Sequence, residues 1–148
     1  MKLSLLENLG MRSKKVILDT NLWISFLISK RLTSIDDLLF EGKIKLIFSE
    51  ESIEEFLTVA KRPKFSKYFT HDMIEELLGL FNKYGKLIKV SSNAKECRDS
   101  KDNFLLNLAI DSKSDYLITG DEDLLVIKKI KKTKIINWTS FVEELEKA

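Results

Sequence analysis

Two stretches decide the fold: "VILDTN" at residues 16–21 and "YLITGDEDLL" at residues 116–125. Each is a short aliphatic run that ends abruptly in acid. Val16-Ile17-Leu18 meets Asp19, and Tyr116-Leu117-Ile118 is followed within a few residues by Asp121, Glu122 and Asp123. Runs of this length without polar alternation read as strands buried on both faces of a parallel sheet. Further runs of the same kind lie at 44–48, 86–90 and 134–136, and the two opening ones extend over 15–18 and 115–118.

Helix-like segments separate these strands. Ser34 and Asp37 have capping-box spacing ahead of a helix that closes on Gly42. Ser49 is placed to cap 50–60, and Thr70 to cap 71–83. Residues 102–112 and 138–147 supply two more helices. Alternation of strand and helix predicts an α/β fold: a three-layer α/β/α sandwich around a mostly parallel sheet of four or five strands. In such folds the working crevice lies beyond the carboxyl ends of the strands, where strand order reverses. Asp19 and Asp121 occupy that position.

The bulk properties bound the rest. With 148 residues, 44% of them hydrophobic and 32% charged, the chain fits one globular domain. Met11, just ahead of the first strand, marks residues 1–12 as a loose extension to a domain spanning 13–148. The net charge of +2 points no strong global field at nucleic acid or membrane. Locally, "KRPKFSK" (61–67) and "KKIKKTK" (128–134) are strongly basic, and such runs are usually solvated faces. Cys97 is the single cysteine and His71 the single histidine. An internal disulfide is therefore impossible, which suits a reducing cytoplasm, and zinc sites and His-based triads lack their residues. No apolar run approaches the roughly 18 residues needed to span a bilayer. No GxGxxG or P-loop pattern occurs.

Asp102 begins "DNFLLNLA", at the start of a helix whose apolar stripe faces the sheet. In "SEESIEEFLTVA" (49–60) the helical wheel does not choose between Glu54 and Glu55, which stand about equally far from the apolar stripe. Asp99 and Asp123 flank Asp102 and Asp121. Each acid has a structural explanation of its own: an Asx turn for Asp19, a turn for Asp121 and Asp123, a capping box between Ser52 and Glu55, and the helix dipole for Asp102. Taken together these explanations weaken. Two carboxylates about 5 Å apart repel by about 3 kcal/mol at an effective dielectric near 20, so several such pairs call for a cation. All-oxygen donors select a hard one, Mg²⁺ or Mn²⁺. Carboxylate-held metal commonly serves chemistry at phosphate, with one or two ions.

"VILDTNLWIS" (16–25), "SEESIEEFLTVAKRPKF" (49–65), "CRDSKDNFLLNLAIDSKSDYLITGDEDLL" (97–125) and "IINWTSFVEEL" (135–145) resemble, in order and spacing, the PIN domain in its toxin branch, the PilT N-terminus proteins. The resemblance implies a metal-dependent ribonuclease. It implies that Asp19, Glu55, Asp102 and Asp121 form the acidic quartet, which selects Glu55 over Glu54. Asp99 and Asp123 become auxiliary metal acids, and Asn21 and Thr119 orient the others. Ser100-Lys101 stands where the family usually has a proline between two acids, a difference of loop stiffness. The resemblance also implies an RNA substrate, a small antitoxin protein as partner and a homodimer, for which Trp23, Leu27 and Ile28 offer apolar surface unless they are core. Two other readings are a non-catalytic RNA-binding or protein-interaction module with the same fold, and a haloacid-dehalogenase-like phosphatase. The phosphatase requires a second aspartate where this chain has Asn21.

Overall fold

A computed structural model describes residues 13–29, 38, 41–93 and 102–147. In chain order the elements are β1 (Lys14–Leu18), α1 (Thr20–Ser29), β2 (Ile44–Phe48), α2 (Glu50–Ala60), α3 (His71–Tyr84), β3 (Gly85–Leu87), α4 (Asn103–Ser112), β4 (Tyr116–Ile118), α5 (Glu122–Leu125), β5 (Lys129–Ile130), β6 (Thr133–Ile136) and α6 (Trp138–Lys147). Among the described residues the sheet has six strands, in the order β3-β2-β1-β4-β6-β5. All neighbours run parallel except β5, which pairs antiparallel with β6.

The aliphatic runs lack polar alternation because both sheet faces are covered. Successive strand residues point to opposite faces. Val16 and Leu18 accordingly join Leu46, Ile118 and Phe141 in one apolar layer, beside Trp138 and Val142 of α6. Ile17 joins Leu117 and Ile135 in the other, against Leu105, Leu106 and Leu108 of α4 and Leu124 of α5. That is the expected α/β/α layering. A third cluster fills the space among α1, α2 and α3 with Ile24, Phe56, Val59, Phe69 and Phe81.

Several local expectations are met atom by atom. Ser49 caps α2: its hydroxyl accepts the Ser52 N–H at 3.2 Å, and Ser52 Oγ accepts the Ser49 N–H at 2.9 Å. Thr70 Oγ1 accepts the Met73 N–H at 3.3 Å at the start of α3. Gly42 has φ 72°, and the Lys43 N–H reaches back to the Leu38 carbonyl at 2.9 Å. This is a left-handed backbone conformation that glycine adopts without steric cost. The remainder of the predicted 34–42 helix, residues 1–12 and Asp99 lie outside the described residues.

Three features differ from expectation. The third strand covers 85–87 rather than 86–90 and pairs with β2. The acidic turn "DEDLL" forms the one-turn helix α5, and β5 is an unanticipated sixth strand. Trp23 and Ile28 pack against the chain's own core, the alternative to dimer surface that the sequence left open; the Trp23 ring stands 5.0 Å from that of Phe81. The side chain of Leu27 lies outside the described residues. No helix among the described residues is long and apolar enough to cross a membrane.

Candidate active site

Strand order reverses between β1 and β4. The chain moves outward from β1 to β2 and β3, then returns to place β4 on the other side of β1. The register pairs Leu18 with Ile118. Asp19, the next residue, continues the ladder, its N–H donating to the Ile118 carbonyl at 3.0 Å. The carboxyl ends of β1 and β4 are thus side by side, and their acids share a rim.

A threonine links the two. Thr119, 1% exposed, donates its hydroxyl to Asp19 Oδ2 at 2.7 Å, and its Oγ1 accepts the Asp121 N–H at 3.0 Å. Asp19 is itself buried, and its Oδ1 accepts the Asn21 N–H at 3.2 Å. Asp121 Oδ1 accepts the Asp123 N–H at 2.9 Å. Both carboxylates are therefore held by hydrogen bonds rather than left to rotate. The Asx turn at Asp19 and the turn at Asp121 do exist. They fix the acids in place and leave room for a further role.

Asp19, Asn21, Leu22, Ser25, Gly120 and Asp121 line one open depression of about 400 Å³. Ser25 escaped the sequence reading, although it stands one helical turn beyond Asn21 on α1, a spacing that puts both on one helix face. Leu22 also went unnoticed, for an aliphatic residue carries no chemical signal. Among the described residues, the polar atoms lining the depression are oxygens and amides, with no sulfur or imidazole. Such a donor set fits a hard divalent cation.

The other two acids of the expected quartet are not among the lining residues. Asp102 occupies the N-cap position of α4 but makes no side-chain capping hydrogen bond to that helix. Glu55 is exposed in the middle of α2. Because Ser49 and Ser52 form the capping box, the alternative box between Ser52 and Glu55 does not occur. α2 packs against both α1 and α4, so the helix carrying Glu55 neighbours both the one that follows Asp19 and the one that follows Asp102. Among the described residues no three Asp, Glu, His or Cys side chains stand together closely enough to hold a metal ion.

Residues 15–123 match the family model for the PIN domain. The chain is also 34% identical over 144 residues to an uncharacterized protein of Methanocaldococcus jannaschii, an alignment that covers 90% of this chain and 92% of that protein. The fold, the acid-bearing rim and these matches agree: the chain belongs to the PIN domain family, a family of nuclease-type fold whose members generally use divalent metals and bind RNA.

Proposed function

We propose that this protein is a metal-dependent endoribonuclease that hydrolyses RNA phosphodiester bonds, acting as the toxin of a toxin–antitoxin pair. The observation that carries the reading is the depression in which Asp19 and Asp121, from strands a hundred residues apart, are tied through one buried threonine. Asp19 and Asp121 hold Mg²⁺ or Mn²⁺, as one or two ions, with Glu55 and Asp102 completing the quartet and Asp99 and Asp123 auxiliary. A cation bound there supplies an activated water and neutralises charge on the scissile phosphate. Thr119 and Asn21 keep the Asp19 oxygens oriented for that purpose. The partners are then an RNA substrate and an antitoxin protein, with self-association as a homodimer, and a reducing cytoplasm suits the single cysteine.

The test is incubation of the purified protein with mixed single-stranded RNA and Mn²⁺, with and without EDTA, followed by mapping of the cut ends. Cleavage that EDTA abolishes, leaving 5′-phosphate and 3′-hydroxyl ends, is the expected result. RNA left intact in Mn²⁺ would refute the proposal.

A second reading draws on the absence of a three-acid cluster among the described residues: a PIN module that binds RNA or protein without cutting. The same experiment separates the two, because that module retards RNA without shortening it. Membership of the PIN family leaves the phosphatase reading without support.

A further inference from the structure

The lysine-rich run 128–134 does not border the acidic rim. β6 is parallel to β4, with Lys134 level with Tyr116, and the β5–β6 hairpin turns at Lys131 and Lys132 beside the amino ends of the strands. Lys14, at the amino end of β1, meets Lys128, Lys129, Lys132 and Lys134 around an open depression of about 480 Å³. Among the described residues, Asp115 and Glu144 are the only acids lining it. The excess is three positive charges, more than the +2 of the entire chain.

Both acids are already engaged. Lys132 pairs with Asp115 at 3.6 Å, and Lys134 pairs with Glu144, which also accepts the Tyr116 hydroxyl at 2.9 Å. Lys14, Lys128 and Lys129 have no ion pair among the described residues, and all three are exposed. They remain available to an anion. Lysine ammoniums are point charges without the planar fork that arginine offers a single bound phosphate. Several of them around a wide, shallow surface suit a chain of phosphates more than one fixed anion. The aromatic floor is committed too, with the Tyr116 ring packed edge-on against Phe141 at 5.1 Å. Base stacking is thus not offered, and recognition falls to the backbone.

We infer that this depression is a second nucleic-acid subsite, which grips the phosphodiester backbone of single-stranded RNA at the end of the sheet opposite the acidic rim. The inference rests on the RNA substrate of the proposed function. Lys14 and Asp19 bracket β1, so rim and lysines stand roughly 16 Å apart at about 3.3 Å per strand residue. A strand long enough to span that distance touches both ends, whereas a very short one reaches fewer of the lysines.

The experiment is equilibrium binding of fluorescent single-stranded RNA to the full chain across a salt series, without divalent metal so that cleavage is silent. The probes are about 4 and about 16 nucleotides long, the span of single-strand site sizes. The site variant carries Lys14→Gln, Lys128→Gln and Lys129→Gln; a control carries Lys61→Gln, Lys64→Gln and Lys67→Gln, with the same change in net charge. Loss of three phosphate contacts should flatten the log K against log salt slope by about 2 for the long probe. Its affinity at low salt should fall on the order of tenfold or more. The short probe, which reaches fewer of the lysines, should show a smaller change in slope, and the control variant should be unaffected.

An unchanged slope in the site variant, or an equal loss in the control, overturns the subsite. So does poly-glutamate that displaces the long RNA as effectively as unlabelled RNA does, since the site would then take an acidic peptide. The readout is independent of catalysis. A flattened slope without RNA cleavage in Mn²⁺ keeps the subsite and removes the ribonuclease, and cleavage with an unchanged slope does the reverse.

Discussion

Thr119 and Asp19, a hundred residues apart, share a buried 2.7 Å hydrogen bond, and the same threonine oxygen accepts the backbone N–H of Asp121 at 3.0 Å. One hydroxyl thereby sets the relative position of two acid-bearing strand ends. Thr119→Val removes both bonds and strands a buried carboxylate oxygen and a backbone donor. The expected loss is about 1–3 kcal/mol in urea denaturation, with slower RNA cleavage. Thr119→Ser retains the hydroxyl and should lose only about 0.8 kcal/mol for the missing methyl group. Equal stability of the Val and Ser variants would show the bridge to be unimportant.

Removal of the rim charges should separate activity from stability. Asp19→Asn and Asp121→Asn each abolish cleavage in Mn²⁺. In Asp19→Asn the new side-chain amide can still pair with Thr119, whose hydroxyl reorients, so unfolding free energy in metal-free buffer should stay within about 1 kcal/mol of wild type. Glu55→Gln lowers cleavage and Glu54→Gln does not. That pair of variants tests a choice which the helical wheel leaves open.

Gly85 begins β3 because nothing larger fits. A methyl group there would stand 2.2 Å from Phe48 Cε1 and 2.7 Å from the Phe81 carbonyl oxygen. The backbone is extended, so the constraint is contact rather than dihedral strain. Gly85→Ala should cost about 1–3 kcal/mol through overpacking, seen as a lower melting temperature with little change in metal dependence. By contrast, a Cβ at Gly120 meets no atom within 4 Å, so Gly120→Ala should melt near wild type.

Burial, assisted by the hydrogen bond to Glu144 and that residue's negative charge, pushes the Tyr116 phenol up to about 12 from its ordinary 10. The folded state therefore favours the protonated phenol. This contribution is fully present below pH 10 and is lost as pH rises from 10 toward about 12. Glu144 shifts the other way: the bond from Lys134, then that from Tyr116, hold its carboxyl below the ordinary range. Its contribution is lost as pH falls through that lowered value. Spectrophotometric titration should show a late tyrosinate component that is absent in Tyr116→Phe.

The buried strands were legible because a helix covers each face of the sheet, which leaves an apolar run as the signature. Helix starts at Ser49 and Thr70 were legible because capping is local chemistry. Asp19 and Asp121 could be brought together on paper because parallel strands share an orientation, and the register of Leu18 with Ile118 bears that out. What escaped was short or depended on packing. β5 has two residues and α5 four, below the length at which hydrophobic periodicity registers. The place of the lysine run on the sheet escaped as well: α5 and the turn after it carry the chain back along the sheet and deposit it at the end opposite the acids. The positions of Glu55 and Asp102 depend on how α2 and α4 pack, which no local pattern encodes.

The two strands at the margins of the sheet have a further consequence. β3 and β5 are three and two residues long, and each contains a lysine. An incoming chain would find few backbone groups in a row on which to align and would have to desolvate a cation beside them, so open-ended stacking of molecules into fibrils is discouraged at both margins.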